Sequence, residues 1–440
     1  METQISQKGL DAYWMPYTSN RQFKSDPRII VGAEGAYYIN DKGQKIFDGL
    51  SGLWTCGMGH NHPEIADAVS EQLRTLDYAP AFQYGHPKAF ELAEKLVEHT
   101  PTGLDRVFFV NSGSEATDTA TKIARAYWRQ KGQPSKQRII GRAKGYHGAS
   151  WGAISWGGIG GNRKMWGQAI ESDHLPHTLQ AGLSFTPGMA QTGEELADQL
   201  LEMIALHDAS NIAAVIVEPI SGSAGVIVPP EGYLQRLATI CKQHDILLIF
   251  DEVITGFGRT GNYFASQTFG VTPDMICVAK QITNGCIPMG AVFAQNEIYE
   301  TYMEKGGAAH NIELPHGYTY SGHPVACAAA LASLNVLEQQ QMIPRVAEMS
   351  SLFETAMHSI KGADHVTDIR NFGFAAGLTI AARDGDPAVR PYEIAMKLWQ
   401  RGFYVRYGGD TLQLGIPFIT QADEIERLAN AMGEAINQTQ

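Results

Sequence analysis

The chain has 440 residues, 44% of them apolar, and carries a formal net charge of −12. That length suits two or three domains, and that apolar content supplies a large core and argues against disorder. The acidic balance speaks against nucleic acid or an anionic membrane as a partner.

The first residues, METQISQKGLDAYW, lack the basic and apolar regions of a secretory signal, and no apolar stretch approaches a membrane span. The expected location is cytoplasmic. Gly35–Phe47 reads as a hairpin, with Tyr37–Ile39 and Lys45–Phe47 flanking an Asp-Lys-Gly turn. The Gly-rich stretch Asp48–Pro63 follows and carries Trp54, expected to be exposed. Cys56, His60 and His62 lie in it, but their spacing matches no standard zinc pattern, so no metal is expected. The five cysteines (Cys56, Cys241, Cys277, Cys286, Cys327) contain no CxxC pair and fit free thiols in a reducing compartment.

Helical spacing covers Glu64–Leu76 and Pro87–His99. Arg106–Val110 is a short apolar strand that feeds Ser112-Gly113-Ser114-Glu115, a capping-box pattern, and then a helix over Ala116–Arg129. A strand, a glycine turn and a helix N-terminus together make an anion site, because the first amides are unpaired and the dipole favours negative charge. Arg138–Ile140 is the next strand, ending near Tyr146. Residues 152–167 read as a Gly-rich loop. Helix is expected over 192–208, strand over Asn211–Val217 up to Glu218, and helix over Pro230–His244. Ile246–Phe250 is an apolar strand ending on a bare acid, Asp251. Asp274–Ala279 is another, ending on Lys280.

Gly256-Phe257-Gly258-Arg259-Thr260-Gly261 fits G-x-G-x-x-G, but no adequate helix follows and the next strand ends in lysine, which argues against a dinucleotide site. Beyond Ile298, a helix over Val325–Glu338 precedes strand candidates at Val366–Arg370, Ala375–Ala381 and Leu412–Leu414. Helices at Arg390–Arg401 and Gln421–Ala435 accompany them. The expected fold is α/β: a large domain (56–310) around a mostly parallel sheet, and a smaller α+β domain (311–440) joined by residues 1–55.

In such sheets ligands sit beyond the carboxyl ends of the strands. Ser112–Ser114, Tyr146, Glu218, Asp251 and Lys280 all fall in that layer. A phosphate cradle, an aromatic face, an acid and a lysine are the parts of a pyridoxal 5′-phosphate (PLP) site. There the lysine forms a Schiff base with the aldehyde and the acid keeps the ring nitrogen protonated.

The motifs NSGSEA (111–116), GYHG (145–148), VEP (217–219) and DEVITGFGRTG (251–261), with Lys280, resemble the class III (ω-) aminotransferases of PLP fold type I. The segments SWGGIGGNRKMWGQ (155–168), DHLPHT (173–178) and VRYGGDTLQLG (405–415) are most similar to its β-alanine/ω-amino acid:pyruvate branch. The resemblance spans nearly the whole chain. It implies amino transfer from a β-alanine-like ω-amino acid or amine to pyruvate, with a taurine- or 4-aminobutyrate-type enzyme as the alternative. It makes Lys280 the Schiff-base lysine and proton shuttle, and Asp251 the partner of the pyridinium nitrogen. Tyr146 and Val253 would flank the ring, with Glu218 beside it, and Gly113 and Ser114 would bind the phosphate. Thr319 would reach the phosphate of the neighbouring subunit in a homodimer, alone or paired into a tetramer. Trp54, Arg406 and Gln413 would line the substrate pocket, with Phe82 entering from the partner. Relatives that use glutamate carry a glutamate after VEP to pair with the substrate arginine. Here that loop is ISGSAG, with Ser223 at the position.

Overall fold

Residues 5–180 and 182–440 are described by a computed structural model. Near the N-terminus, β1 (Ile30–Glu34), β2 (Tyr37–Asn40) and β3 (Lys45–Asp48) form an antiparallel meander, so the expected hairpin gains a third strand. The central sheet comprises β4 (Arg106–Val110), β5 (Arg138–Arg142), β6 (Ser172–Leu175), β7 (Ile212–Val217), β8 (Leu247–Asp251), β9 (Met275–Val278) and β10 (Gly290–Ala294). Their spatial order is β4-β10-β9-β8-β7-β5-β6. Strands β5 to β9 are parallel, and β10 is antiparallel to both β9 and β4. In β7, β8, β9 and β10 every residue is buried, as apolar runs covered on both faces must be.

The C-terminal part adds β11 (Val366–Phe372), β12 (Ala375–Ile380), β13 (Phe403–Tyr404), β14 (Arg406–Gly408) and β15 (Thr411–Leu414). They form a sheet β11-β12-β15-β14, except for β13, which pairs in parallel with β3 and so joins the two chain ends. The helix Pro324–Gln339 is buried nearly all round. Its run of small residues, Ala328 to Ala330, lets it pack closely on the helices Pro63–Thr75 and Pro87–Val97.

Two expectations are corrected. Residues 152–167 are not an irregular loop: Trp151–Trp156 and Gly160–Trp166 are short helices. Ser150 caps the first, its hydroxyl accepting the Ala153 N–H. Trp54 is not exposed but 1% accessible, in a tight turn where Ser51, Gly52 and Trp54 all have positive φ. Among the described residues, no helix is long and apolar enough to cross a membrane.

Candidate active site

At the carboxyl edge of the central sheet lies a cavity of about 340 Å3, lined among others by Gly113, Ser114, Tyr146, Glu218, Asp251 and Lys280. The turn between β4 and the helix Gly113–Gln130 forms one wall. Ser112 caps that helix, its Oγ accepting the Glu115 N–H at 3.2 Å, and the Glu115 carboxylate accepts the Asn111 N–H at 2.7 Å. Among the described residues the Gly113 and Ser114 amides donate to no protein acceptor, as expected of a helix start. A Cβ on Gly113 would stand 2.8 Å from Val253 Cγ1, so only glycine leaves room for a ligand there. Gly148, at φ +125°, presses on Ser114 in the same way. These amides suit a phosphate.

Asp251, 5% exposed, ends β8. One oxygen accepts the Val253 N–H at 3.1 Å, and the other lies 2.8 Å from His147 Nδ1. His147 is itself buried, and its Nε2 has no partner among the described residues. The sequence reading gave no role to His147, although GYHG contains it beside Tyr146. Glu218 is held by the Tyr146 N–H at 2.9 Å and the Gly222 N–H at 3.2 Å. Burial, with the neighbouring Asp251 charge, pushes its carboxyl up to about 7 against the pull of His147.

Lys280 follows β9 at φ +53°, a conformation costly for a side chain with a Cβ. The turn is held from both sides. Gln281 Oε1 accepts the Gly57 N–H at 2.7 Å, Asn284 Oδ1 accepts the Met58 N–H at 3.0 Å, and Asn284 Nδ2 donates to the Gly59 carbonyl at 2.8 Å. Burial pushes the Lys280 amine down to about 8, with Asp251 and Glu218 pulling the other way and Arg406 adding to the fall. An amine with that pKa is a usable nucleophile and base near neutrality. The donor set therefore fits PLP: free amides for a phosphate, a buried carboxylate for a ring nitrogen, and a desolvated lysine for an aldehyde.

The remaining expected residues fall elsewhere. Leu53 and Thr55, not Trp54, line the cavity. Trp54 packs on Gly415, where a Cβ would be 2.3 Å from its ring, and beneath the Arg259 guanidinium at 5.7 Å. Arg406 on β14 faces Gln413 on β15, outside the cavity wall, and makes no ion pair among the described residues. Gln413 is buried and donates to the Ser223 carbonyl at 2.8 Å. Phe82 is exposed and its ring meets Gly317. Thr319 is exposed on the same loop, its carbonyl accepting the Tyr78 hydroxyl at 3.0 Å. Neither lines this chain's own cavity. His60 and His62 have separate partners, Asp48 and Gln340.

A profile of the aminotransferase class-III family matches residues 18–436. The beta-alanine–pyruvate aminotransferase of Pseudomonas aeruginosa is 61% identical over 433 residues, covering 98% of this chain and 97% of that one. The omega-amino acid–pyruvate aminotransferase of Pseudomonas putida is 59% identical over 434 residues, again covering 98% and 97%. An amine transaminase from an uncultivated Pseudomonas species, solved in its PLP-bound form, superposes with a TM-score of 0.89 at 34% identity, covering 98% of this chain and 99% of that one. With its lysine, acid and helix start set as that chemistry needs, the chain belongs to the class III aminotransferases, a PLP-dependent family of fold type I.

Proposed function

We propose that the chain moves the amino group of an ω-amino acid or amine of the β-alanine type onto pyruvate, giving an oxo acid or aldehyde and L-alanine. The printed names of the two relatives at 61% and 59% identity support the substrates. The observation that carries the reading is Arg406: a half-buried guanidinium with no carboxylate partner among the described residues. The position of the expected glutamate is Ser223, whose carbonyl is already engaged by Gln413. A free planar fork suits the carboxylate of pyruvate or alanine. Arg406 holds that carboxylate and withdraws for a donor that has none beside its amine.

Bound PLP supplies an aldehyde that condenses with amines and a ring that accepts electrons. The protein does the rest. Lys280 Nζ removes the proton from the donor's amino-bearing carbon and later delivers one, base and then acid. Asp251, held by His147, keeps the ring nitrogen protonated. Glu218 adds a second buried acid behind it. The Gly113 and Ser114 amides hold the phosphate, and Tyr146 and Val253 hold the ring. Trp54 shapes the substrate space from beneath, through Leu53 and Thr55. The β3–β13 pairing supports a small domain made of 1–55 with 311–440, set on a cofactor domain of 56–310.

The working unit is a homodimer in this reading. Phe82, Tyr84 and Tyr320 are exposed aromatics, and Phe82 and Tyr320 adjoin the loop that bears Thr319. Such a patch suits burial against a second copy, with Thr319 completing the partner's phosphate site. Five unbridged cysteines support the cytoplasm. A donor panel with two acceptors tests the function. β-Alanine with pyruvate yields alanine; preference for 2-oxoglutarate would move the enzyme to the taurine or 4-aminobutyrate type.

A further inference from the structure

The loop that carries Thr319 is held from two sides by its own subunit. Residues 318–321 form a closed turn: the Ser321 N–H donates to the Tyr318 carbonyl at 3.0 Å, and the Tyr318 N–H donates to Ser321 Oγ at 3.1 Å. Thr319 and Tyr320 stand at its apex. Their N–H groups and the Thr319 hydroxyl donate to no protein acceptor among the described residues. Three such donors on one exposed turn suit an anion.

On one side, His316 Nε2 lies 2.9 Å from Thr119 Oγ1, and the imidazole stacks on Phe108 of β4 with the ring centroids 5.5 Å apart. Thr119 is fully buried in the helix Gly113–Gln130, whose first amides suit this subunit's own phosphate. On the other side, the segment 77–86 splints the loop at every fourth residue. The Tyr78 hydroxyl donates to the Thr319 carbonyl at 3.0 Å. The Phe82 ring closes on Gly317, where a Cβ would stand 2.7 Å from Cε1. His86 Nε2 lies 2.6 Å from the Gly322 carbonyl. His86 is buried and belongs to the packing, whereas Tyr78 is 39% exposed, so burial alone does not place its hydroxyl. The Tyr78 ring meets Tyr320 edge-on at 6.0 Å and His323 at 5.9 Å.

In a trans peptide the C=O and N–H point in opposite directions. With the Thr319 carbonyl drawn onto Tyr78, the Tyr320 N–H faces away from that side chain. A Thr319 carbonyl free to swing outward would set its negative end against any anion the turn holds. We infer that Tyr78 is a positioning residue for the cofactor phosphate of the partner subunit, its hydroxyl orienting the turn that presents Thr319. The inference rests on the reading that Thr319 completes the partner's site. Tyr78 does not line this chain's own cavity and acts through the turn.

The test titrates the full-length, cofactor-free enzyme with PLP and with pyridoxal, which has the same ring and aldehyde but no phosphate. The absorbance of the lysine-linked form reads both. Thr319→Ala weakens PLP by about ten-fold or more and leaves pyridoxal as in wild type. Tyr78→Phe keeps the ring and loses the hydroxyl; it weakens PLP by about three- to ten-fold and pyridoxal not at all. Wild-type affinity for pyridoxal also shows that the variant is folded. In the double variant the added loss from Tyr78→Phe is smaller than in the single one, because part of what it orients is gone. Unchanged PLP affinity in Tyr78→Phe, equal weakening of PLP and pyridoxal, or full addition of the two losses overturns the inference. Those results leave the dimer reading in place as long as Thr319→Ala is selective for PLP. Unchanged PLP affinity in Thr319→Ala sinks that reading, and the inference with it.

Discussion

Asp251 and Lys280 are placed by the shortest possible route. Each follows directly from a buried strand, and β8 and β9 are neighbours in register, with Asp251 opposite Cys277. Arg406 is placed by a long one. Its strand β14 lies in a separate sheet, tied back by β13 on β3 and by a buried Arg259 that donates to the Phe374 and Ile416 carbonyls. The Arg259 guanidinium also sits over the rings of Trp54 and Phe418. The first region is rigid because its sheet is. The second is put together from both chain ends, with short strands β13 and β14 on different sheets. In the function proposed above, chemistry belongs to the first region and substrate selection to the second.

The largest expected effect breaks the first region. Lys280→Ala removes the nucleophile and the proton carrier together, and turnover falls by about four orders of magnitude or more. The cofactor's lysine-linked absorbance disappears with it. Asp251→Asn keeps the shape but not the charge, and costs about two to three orders in kcat. Stopped-flow half-reactions read both, and activity near wild type in either variant would remove the cofactor assignment.

The second region is broken by Arg406→Ala, with a smaller and lopsided effect. Losing a charged hydrogen-bond pair is worth about 1.5–3 kcal/mol, or roughly ten- to a hundred-fold in the KM for pyruvate. The half-reaction of an amine donor without a carboxylate changes little. Equal losses in both half-reactions would make Arg406 a structural residue and not a selector.

The same contrast explains what could be read from the sequence. Strands β4, β7, β8 and β9 are apolar runs bounded by turn residues, and their end groups fell in one layer without any knowledge of the fold. The direction of β10 was not legible, because a five-residue buried run, GAVFA, carries no sign of which way it runs. The short helices at Trp151–Trp156 and Gly160–Trp166 were hidden by the six glycines of residues 152–167, which propensity reads as loop while packing decides otherwise. His147 went unassigned because its partner, Asp251, is 104 residues away. The burial of Trp54 depends on Gly415 and Arg259, contacts that local pattern does not encode. The motif resemblance, not periodicity, brought Arg406 and Gln413 into view.

The smallest expected effect sharpens the comparison through opposite pH signs. Lys280 lies in a site that pushes its pKa from 10.5 down to about 8. Between those values the unfolded chain holds more protons than the fold, so this lysine's contribution to the stability of the cofactor-free protein rises with pH. His60, on the side of the assembled region, is raised from 6.5 to about 9. Its contribution is complete below pH 6.5 and is lost as the pH climbs through 9. Urea unfolding of the cofactor-free protein at several pH values measures both by difference. The stability of Lys280→Met relative to wild type is highest below pH 8 and shrinks towards pH 10.5. The deficit of His60→Gln is largest near pH 6 and shrinks towards pH 9. Each swing is about 1–3 kcal/mol, since one pKa unit is worth about 1.4 kcal/mol. Swings of the same sign would mean that the two groups share one electrostatic environment, and the division between a desolvated chemical edge and a charge-paired arm would fail.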